Sequence, residues 1–166
     1  MSTREERSNG FSAQGVTPPA ENLRRILIDG DIEAVLDCAQ SMASELIARN
    51  AATDDVRVLL GAIQGLEVSW PTDPSEAKRE LRRLRAWAAH LSRTVVGEAR
   101  EQEEHPLEEL TSALGRGIDI LLEQSDGAAS ASETRLVRSS RREAFTRLVS
   151  LFEAIMAYYS YGDAAL

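Results

Sequence analysis

The chain has 166 residues and a formal net charge of −8 at neutral pH, with 27 acidic residues against 19 basic ones. This length suits one domain with its own core, and the single cysteine, Cys38, excludes an internal disulfide. The acidic balance argues against a free-standing nucleic-acid-binding protein, because such proteins attract phosphate through a positive field.

Apolar residues recur with helical spacing along most of the chain, and β-branched runs are almost absent. We therefore predict an all-α fold, a compact bundle of about five helices. Residues 1–20 are polar and aperiodic, which predicts a disordered N-terminal leader ahead of one helical domain in residues 21–166. Neither a signal peptide nor an apolar run of 18 residues is present, so we expect a cytoplasmic protein without a membrane role.

The first helical segment is expected to begin with a short turn near Glu21 and to break at residues 29–31. Its main body should then run to about Asn50, with Asp31 as the N-cap. Its predicted core stripe consists of Ile32, Val35, Leu36, Ala39, Met42, Ala43, Leu46 and Ile47.

The second segment should be capped by Thr53 or Asp54 and should end before Pro71, since the residue preceding a proline disfavours the helical conformation. Ser75 is the predicted cap of the third segment. The apolar residues of that third segment are Leu81, Leu84, Ala88, Leu91 and Val95. An acidic run at residues 98–104 should be solvated.

The fourth segment should begin near Pro106, which suits the first turn of a helix, and His105 before it should be exposed. Residues 125–134 are rich in Ala, Ser and Gly and predict a flexible loop. The fifth helix should start between Glu133 and Ser140.

The end of this last helix, residues 145–162, carries apolar side chains nearly all the way round. Such a helix is typical of the centre of a bundle or of one half of a subunit interface. The pattern alone leaves both possibilities open.

The residues of enzyme and cofactor sites are missing from the sequence. It contains no phosphate-binding glycine loop and no nucleophile arrangement. The two histidines, His90 and His105, do not lie at metal-ligand spacing from each other or from Cys38. We therefore expect no catalytic activity, no metal and no cofactor.

Basic residues are concentrated on one face of the third helix. On a helical wheel Arg79, Arg82, Arg83 and Arg93 lie almost opposite the apolar stripe. Arg79 and Arg93 are separated by a rise of about 21 Å, which reaches several consecutive phosphates of a nucleic-acid strand. Solvent-facing helices usually mix charges of both signs, and this face hardly does. The face is a candidate phosphate-binding surface, with a plain solvent face as the alternative.

Other arginines are less easily interpreted. Arg135, Arg138 and Arg142 form a second row beside the predicted loop, which equally fits an Arg-rich disordered segment. Arg57 stands alone on an apolar helix and has Asp54 and Asp55 as possible partners.

Three segments are similar to a known family. Residues 152–162, FEAIMAYYSYG, together with Phe145, resemble the closing helix of the small subunit of the type III-A CRISPR effector, the Csm complex. TDDVRVLL at residues 53–60 is similar to an early helix of that family. LRAWAAHLSR at residues 84–93 is similar to another of its segments, with Trp87 in place of the usual Tyr.

This resemblance implies a helical, non-catalytic subunit that associates with other Csm subunits. Copies of it would stack along the complex and support the duplex of guide RNA and target RNA through backbone contacts, which do not read the base sequence. Arg79, Arg82, Arg83 and Arg93 are the candidates for those contacts, and Arg57 and Arg147 join them by motif position alone.

An interpretation without RNA also remains open at this point. The chain would then be a helical adaptor that docks a partner through its aromatic C-terminal helix, with Phe152 and Tyr158 as the contact residues.

Overall fold

The computed structural model describes residues 18–94, 105–123 and 131–164. Within these residues the secondary structure is entirely helical, which confirms the all-α prediction. Six α-helices are described: α1 (Ala20–Arg24), α2 (Ile32–Ala48), α3 (Thr53–Val68), α4 (Pro74–Thr94), α5 (Glu108–Glu123) and α6 (Ala131–Ala164). The predicted leader up to residue 17 and the acidic run lie outside the described residues.

The chain turns sharply between α1 and α2. Helix α1 continues into a π-helical segment, Arg25–Asp29, and Gly30 then adopts the left-handed conformation with φ of 67°, which glycine tolerates without steric cost. The Asp31 side chain accepts a hydrogen bond from the backbone N–H of Ala34 at 3.1 Å, so the predicted N-cap of α2 is confirmed. This hydrogen bond, aided by one from the Arg25 guanidinium, lowers the pKa of the Asp31 carboxyl.

Two predicted caps were wrong. Helix α3 starts at Thr53 with Ala52 as its N-cap, and neither Thr53 nor Asp54 caps it through a side chain. Helix α4 starts at Pro74, and Asp73 rather than Ser75 supplies the cap, since its carboxylate accepts from the Ser75 N–H at 3.3 Å. Proline fits the first helical position, where no N–H is needed, and this moves the cap to the residue before it.

Helix α6 packs against α2, α3, α5 and the π-helical segment through one broad face, and its opposite side is exposed. Its buried side chains include Phe145, Leu148, Val149, Leu151, Phe152, Ile155 and Tyr159. The Tyr159 hydroxyl donates to the carbonyl of Ala51, and the rings of Trp70 and Phe145 lie 5.0 Å apart. These two contacts lie at opposite ends of α3, so α3 runs antiparallel to α6. Of the two possibilities that the apolar pattern left open, these contacts favour packing inside the bundle, since the apolar side chains are buried within the chain itself.

The remaining helices complete the bundle around α6. Helix α2 runs alongside it, with the end of α2 against Gly162, and α5 packs near Leu148. Helix α4 packs mainly on α5, where Arg85 and Asp119 form an ion pair at 2.9 Å. Helix α4, which carries the predicted basic face, therefore packs on the outside of α5.

The start of α6 differs from the prediction. Residues 131–134 are helical rather than part of a loop, and the helix begins before Glu133. Ala and Glu favour helices, and here that preference prevails over the low-complexity composition. Residues 125–130 of the predicted loop lie outside the described residues.

Three burial expectations also failed. Ile32 and Leu36 on α2 are 73% and 46% exposed, because the described helices cover only one side of its first two turns, where Ala34, Val35 and Cys38 pack against the core. His105, which was expected to be exposed, is buried. Its Nδ1 accepts a hydrogen bond from the Leu107 N–H at 3.1 Å at the start of α5, so the ring has a structural role.

Arg147 connects α6 to the turn before α2. Its Nη1 donates to the carbonyls of Leu27 and Ile28 at 2.8 and 2.9 Å. The guanidinium also lies where a side chain at residue 30 would be, 3.4 Å from the position of a Cβ. Arg147 therefore satisfies carbonyls that the end of the π-helical segment leaves without intrahelical partners.

Substitution by alanine should have opposite effects at a glycine in the contact of α5 with α6 and at an exposed glycine of α3. In Gly117→Ala the new Cβ would lie 2.9 Å from Cδ1 of the buried Leu148, whereas at Gly61 nothing lies within 4 Å. Gly61→Ala should raise the free energy of unfolding by about 0.5–1 kcal/mol through helix propensity. Gly117→Ala should instead lower the free energy of unfolding, by about 1–3 kcal/mol relative to the unmodified protein, through overpacking. Chemical denaturation measures both, and equal gains in stability would contradict the close approach.

Removal of the Arg147 guanidinium should destabilise the fold. Hydrogen bonds to a charged group contribute about 1.5–3 kcal/mol. The bond from Arg147 to the Leu27 carbonyl is only partly buried and the bond to the Ile28 carbonyl is exposed, so Arg147→Ala should lower the free energy of unfolding by the lower end of that range, about 1.5 kcal/mol, in chemical denaturation. Arg142→Ala is the control, since Arg142 is exposed on the same helix. Equal stability of the two variants would show that the contact with the turn contributes nothing.

Candidate nucleic-acid interface

Helix α4 separates its apolar and basic residues onto opposite faces. Ala77, Leu81, Leu84 and Ala88 are buried in the bundle. Arg79, Arg82, Arg83 and Arg93 all lie on the solvent side and are exposed, with the small side chain of Ala86 between them. Arg79, Arg82 and Arg83 are three or four residues apart and share a face of the helix, and Arg93 lies on the same face about 15 Å further along. We call these four arginines the α4 basic surface.

The charges of the α4 basic surface are largely uncompensated. Arg83 pairs with Glu80 one turn earlier, and its side chain remains 74% exposed. Arg79, Arg82 and Arg93 have no ion pair or hydrogen bond with any residue that the structure describes. An exposed ion pair contributes little free energy, so Arg83 can exchange Glu80 for another anion. Among the described residues, nothing but the exposed ion pair of Arg83 competes with an anionic ligand for this surface.

Two neighbours border this surface. Arg85 points to α5, where Asp119 neutralises it, so it belongs to the packing of α4 on α5. Trp87 is partly exposed at the edge of the basic face. An aromatic side chain next to arginines can pack on a sugar or a base, although this arrangement is equally that of an ordinary helix edge.

The two residues added by motif position lie elsewhere. Arg57 is on α3, its side chain 65% exposed, and it approaches Asp54 at 4.0 Å, the outer limit of an ion pair. Arg147 is on α6 and donates to the Leu27 and Ile28 carbonyls. The structure therefore does not place either residue on the α4 face.

The second arginine row is only partly described. Arg142 is exposed on α6, and the side chains of Arg135 and Arg138 lie outside the described residues. The same segment contains Arg141, which is 2% exposed and donates its Nε hydrogen to the carbonyl of Leu121 at 3.2 Å, near the end of α5. Sequence reasoning missed this structural arginine, although its spacing of four residues from Phe145 places both on one helix face.

A metal site, a reactive cysteine and a membrane-spanning helix are three other features that the described part of the chain could contain. There, no three His, Cys, Asp or Glu side chains come together in a way that could hold a metal ion. Burial raises the pKa of the Cys38 thiol to about 11, which disfavours the reactive thiolate. No described helix is long and apolar enough to cross a membrane.

Comparison with known proteins identifies the family of the chain. The model of a family described as Csm2 Type III-A matches residues 29–164, which include α2 to α6. Neither the curated proteins nor the solved structures contain a match. Since the matched region covers most of the chain, the protein belongs to the Csm2 family, the small subunit of the type III-A CRISPR effector complex.

Proposed function

We propose that the protein is a non-catalytic subunit that supports the duplex of guide RNA and target RNA through its α4 basic surface. Membership of the Csm2 family implies association with the other subunits of the Csm complex. The contacts with RNA would be made to phosphates, which position a strand without reading its bases. Several copies would stack along the complex, as heterologous contacts between identical chains allow.

The observation that carries this proposal is the exposure of four arginines on one face of α4. The helix packs on α5 through its opposite face, so binding of RNA would require no rearrangement of the core. A row about 21 Å long matches an extended strand better than a single small anion. Guanidinium groups also suit phosphate because they donate paired hydrogen bonds.

The net charge of −8 defines the conditions under which this surface can act. In the isolated protein the negative field of the other helices opposes the approach of RNA. In an assembly the neighbouring subunits hold the RNA close by, which raises its effective concentration. We therefore expect weak binding by the isolated subunit and much tighter binding in the complex.

The residues outside α4 contribute unequally to the proposal. Arg57 stays a secondary candidate, since it is exposed and only weakly paired. Arg147 is left out, because binding of RNA would compete with its hydrogen bonds to the turn before α2.

The adaptor interpretation loses one of its two contact residues. Phe152 is 3% exposed and belongs to the core, so its substitution would unfold the protein rather than disrupt docking. Tyr158 and Tyr161 remain exposed near the end of α6. They are available for the contacts between stacked copies.

RNA binding should depend on the α4 basic surface and on salt. Four contacts to single-stranded RNA predict a slope of about −3 for log affinity against log salt concentration, at about −0.7 per contact. Removal of two contacts in Arg82→Ala with Arg93→Ala should reduce the slope to about half that value. Fluorescence anisotropy of a labelled single-stranded RNA at several salt concentrations measures both quantities.

The matched control is Arg24→Ala with Arg142→Ala, which removes two exposed arginines from α1 and α6 and changes the net charge equally. This control should retain the slope of the unmodified protein. If both double variants lose affinity to the same extent, the effect is one of net charge, and the α4 face is an ordinary solvent face.

A further inference from the structure

The first two turns of α2 expose large aliphatic side chains. Ile32 and Leu36 lie one helical turn apart, hence on the same side of the helix, and are 73% and 46% exposed. Ile28, on the π-helical segment just before Gly30, is exposed as well. Single exposed aliphatic residues are common on protein surfaces, but a row of them often marks an interaction site.

Acidic side chains accompany this row. Glu33 and Asp37 directly follow Ile32 and Leu36, are exposed, and also lie one helical turn apart. Residues 26–48 contain five carboxylates and no basic residue. The start of α2 therefore presents an apolar row with an acidic row beside it. We call these four side chains, Ile32, Glu33, Leu36 and Asp37, the α2 acidic face.

We propose that the α2 acidic face docks another protein subunit of the effector complex, through a surface that is apolar and rimmed by lysine or arginine. The inference rests on the proposed function only in that the protein works inside this complex; it does not require the RNA contacts. Burial of Ile32 and Leu36 would provide the apolar centre of the contact. Glu33 and Asp37 would select the partner by charge.

The carboxylates of α2 and the arginines of α4 decide which molecule fits the α2 acidic face: RNA, a second copy of the chain, or a different subunit. RNA is excluded, because its phosphates would face carboxylates. A second copy would have to offer a basic surface, and among the described helices the largest basic excess is on α4. That surface exposes arginines around Ala86 rather than large aliphatic residues, and the proposed function assigns it to RNA. A different subunit is the occupant that fits both rows of the α2 acidic face.

The packing of the bundle is compatible with two separate contacts. Helix α2 packs on α6, and α4 packs mainly on α5. The α2 acidic face and the α4 basic surface are thus on helices with different packing partners. A protein bound to α2 and a strand bound to α4 would use different elements of the fold.

The test is the number of small-subunit copies in the effector complex, purified through a tag on another subunit and measured by native mass spectrometry. The variant Ile32→Glu with Leu36→Glu should lower this number at least tenfold. The control is Val58→Glu with Val68→Glu, which places the same charges at two exposed aliphatic positions of α3. The control should retain the copy number of the unmodified protein.

A charge variant tests the second row. Glu33→Lys with Asp37→Lys leaves the aliphatic residues in place and should also lower the copy number, because the proposed partner surface is basic. Retention of all copies in both α2 variants overturns the proposal.

Two measurements on the isolated variants complete the test. The Ile32→Glu, Leu36→Glu variant should keep the melting temperature of the unmodified protein. Its affinity for single-stranded RNA should equal that of the Val58→Glu, Val68→Glu control, which changes the net charge by the same amount. A lower melting temperature of the Ile32→Glu, Leu36→Glu variant overturns the proposal, since the face would then be covered within the chain itself. Loss of self-association in this variant also overturns it, because the occupant would be a second copy.

The same experiments separate this proposal from the proposed function. If the Arg82→Ala, Arg93→Ala variant binds RNA normally while the α2 variants are present in fewer copies per complex, the docking proposal is supported and the proposed RNA surface is wrong. If the unmodified protein itself does not join the complex, both fail together.

Discussion

The whole fold depends on the broad apolar face of α6. Phe145 and Leu151 lie about 120° apart around this helix and are both buried, so more than one other helix packs on the face, while the opposite side, with Thr146, Ser150 and Glu153, is exposed. The packing is close: a Cβ at Gly117 would lie 2.9 Å from Leu148, and one at Gly162 would lie 2.6 Å from Ile47. Arginines then stabilise the ends of neighbouring elements, Arg147 at the turn before α2 and Arg141 at the end of α5. The centre of the molecule is thus structural, and its functional surfaces are on the outer helices.

The outer helices separate charge. Helix α4 carries a basic face on which only Arg83 has an ion-pair partner among the described residues. The start of α2 carries carboxylates beside exposed aliphatic residues. A net charge of −8 conceals this division, because it sums over both surfaces. In a multisubunit complex such a division has a physical use: one surface attracts phosphate while the other attracts a basic protein. The proposed RNA support and the proposed docking face are therefore consistent parts of one account, although each has its own test.

Helical periodicity was sufficient to predict the fold class and the N-cap at Asp31, because each depends on local spacing. It left open whether the last helix packs inside the bundle or forms a subunit interface. The basic face of α4 was also predictable, since helix geometry alone places its arginines together.

Exposure of Ile32 and Leu36 was not predictable, because it depends on where the neighbouring helices end. The structural role of Arg147 likewise depends on a contact with residues 27 and 28, about 120 positions earlier in the chain, and no local pattern marks it. Motif resemblance makes the same residue a candidate RNA contact, and the motif position gave no sign of its hydrogen bonds to this turn.

The most direct test of the account is site-specific photo-crosslinking in the assembled effector complex. Ala86 lies exposed in the middle of the α4 basic surface, so its replacement by a photo-crosslinking amino acid probes that surface without removing an arginine. The account predicts a crosslink from residue 86 to the guide RNA or the target RNA, identified by mass spectrometry of the crosslinked nucleotides. A crosslink from residue 86 to protein alone, in complexes that contain both RNAs, would contradict it.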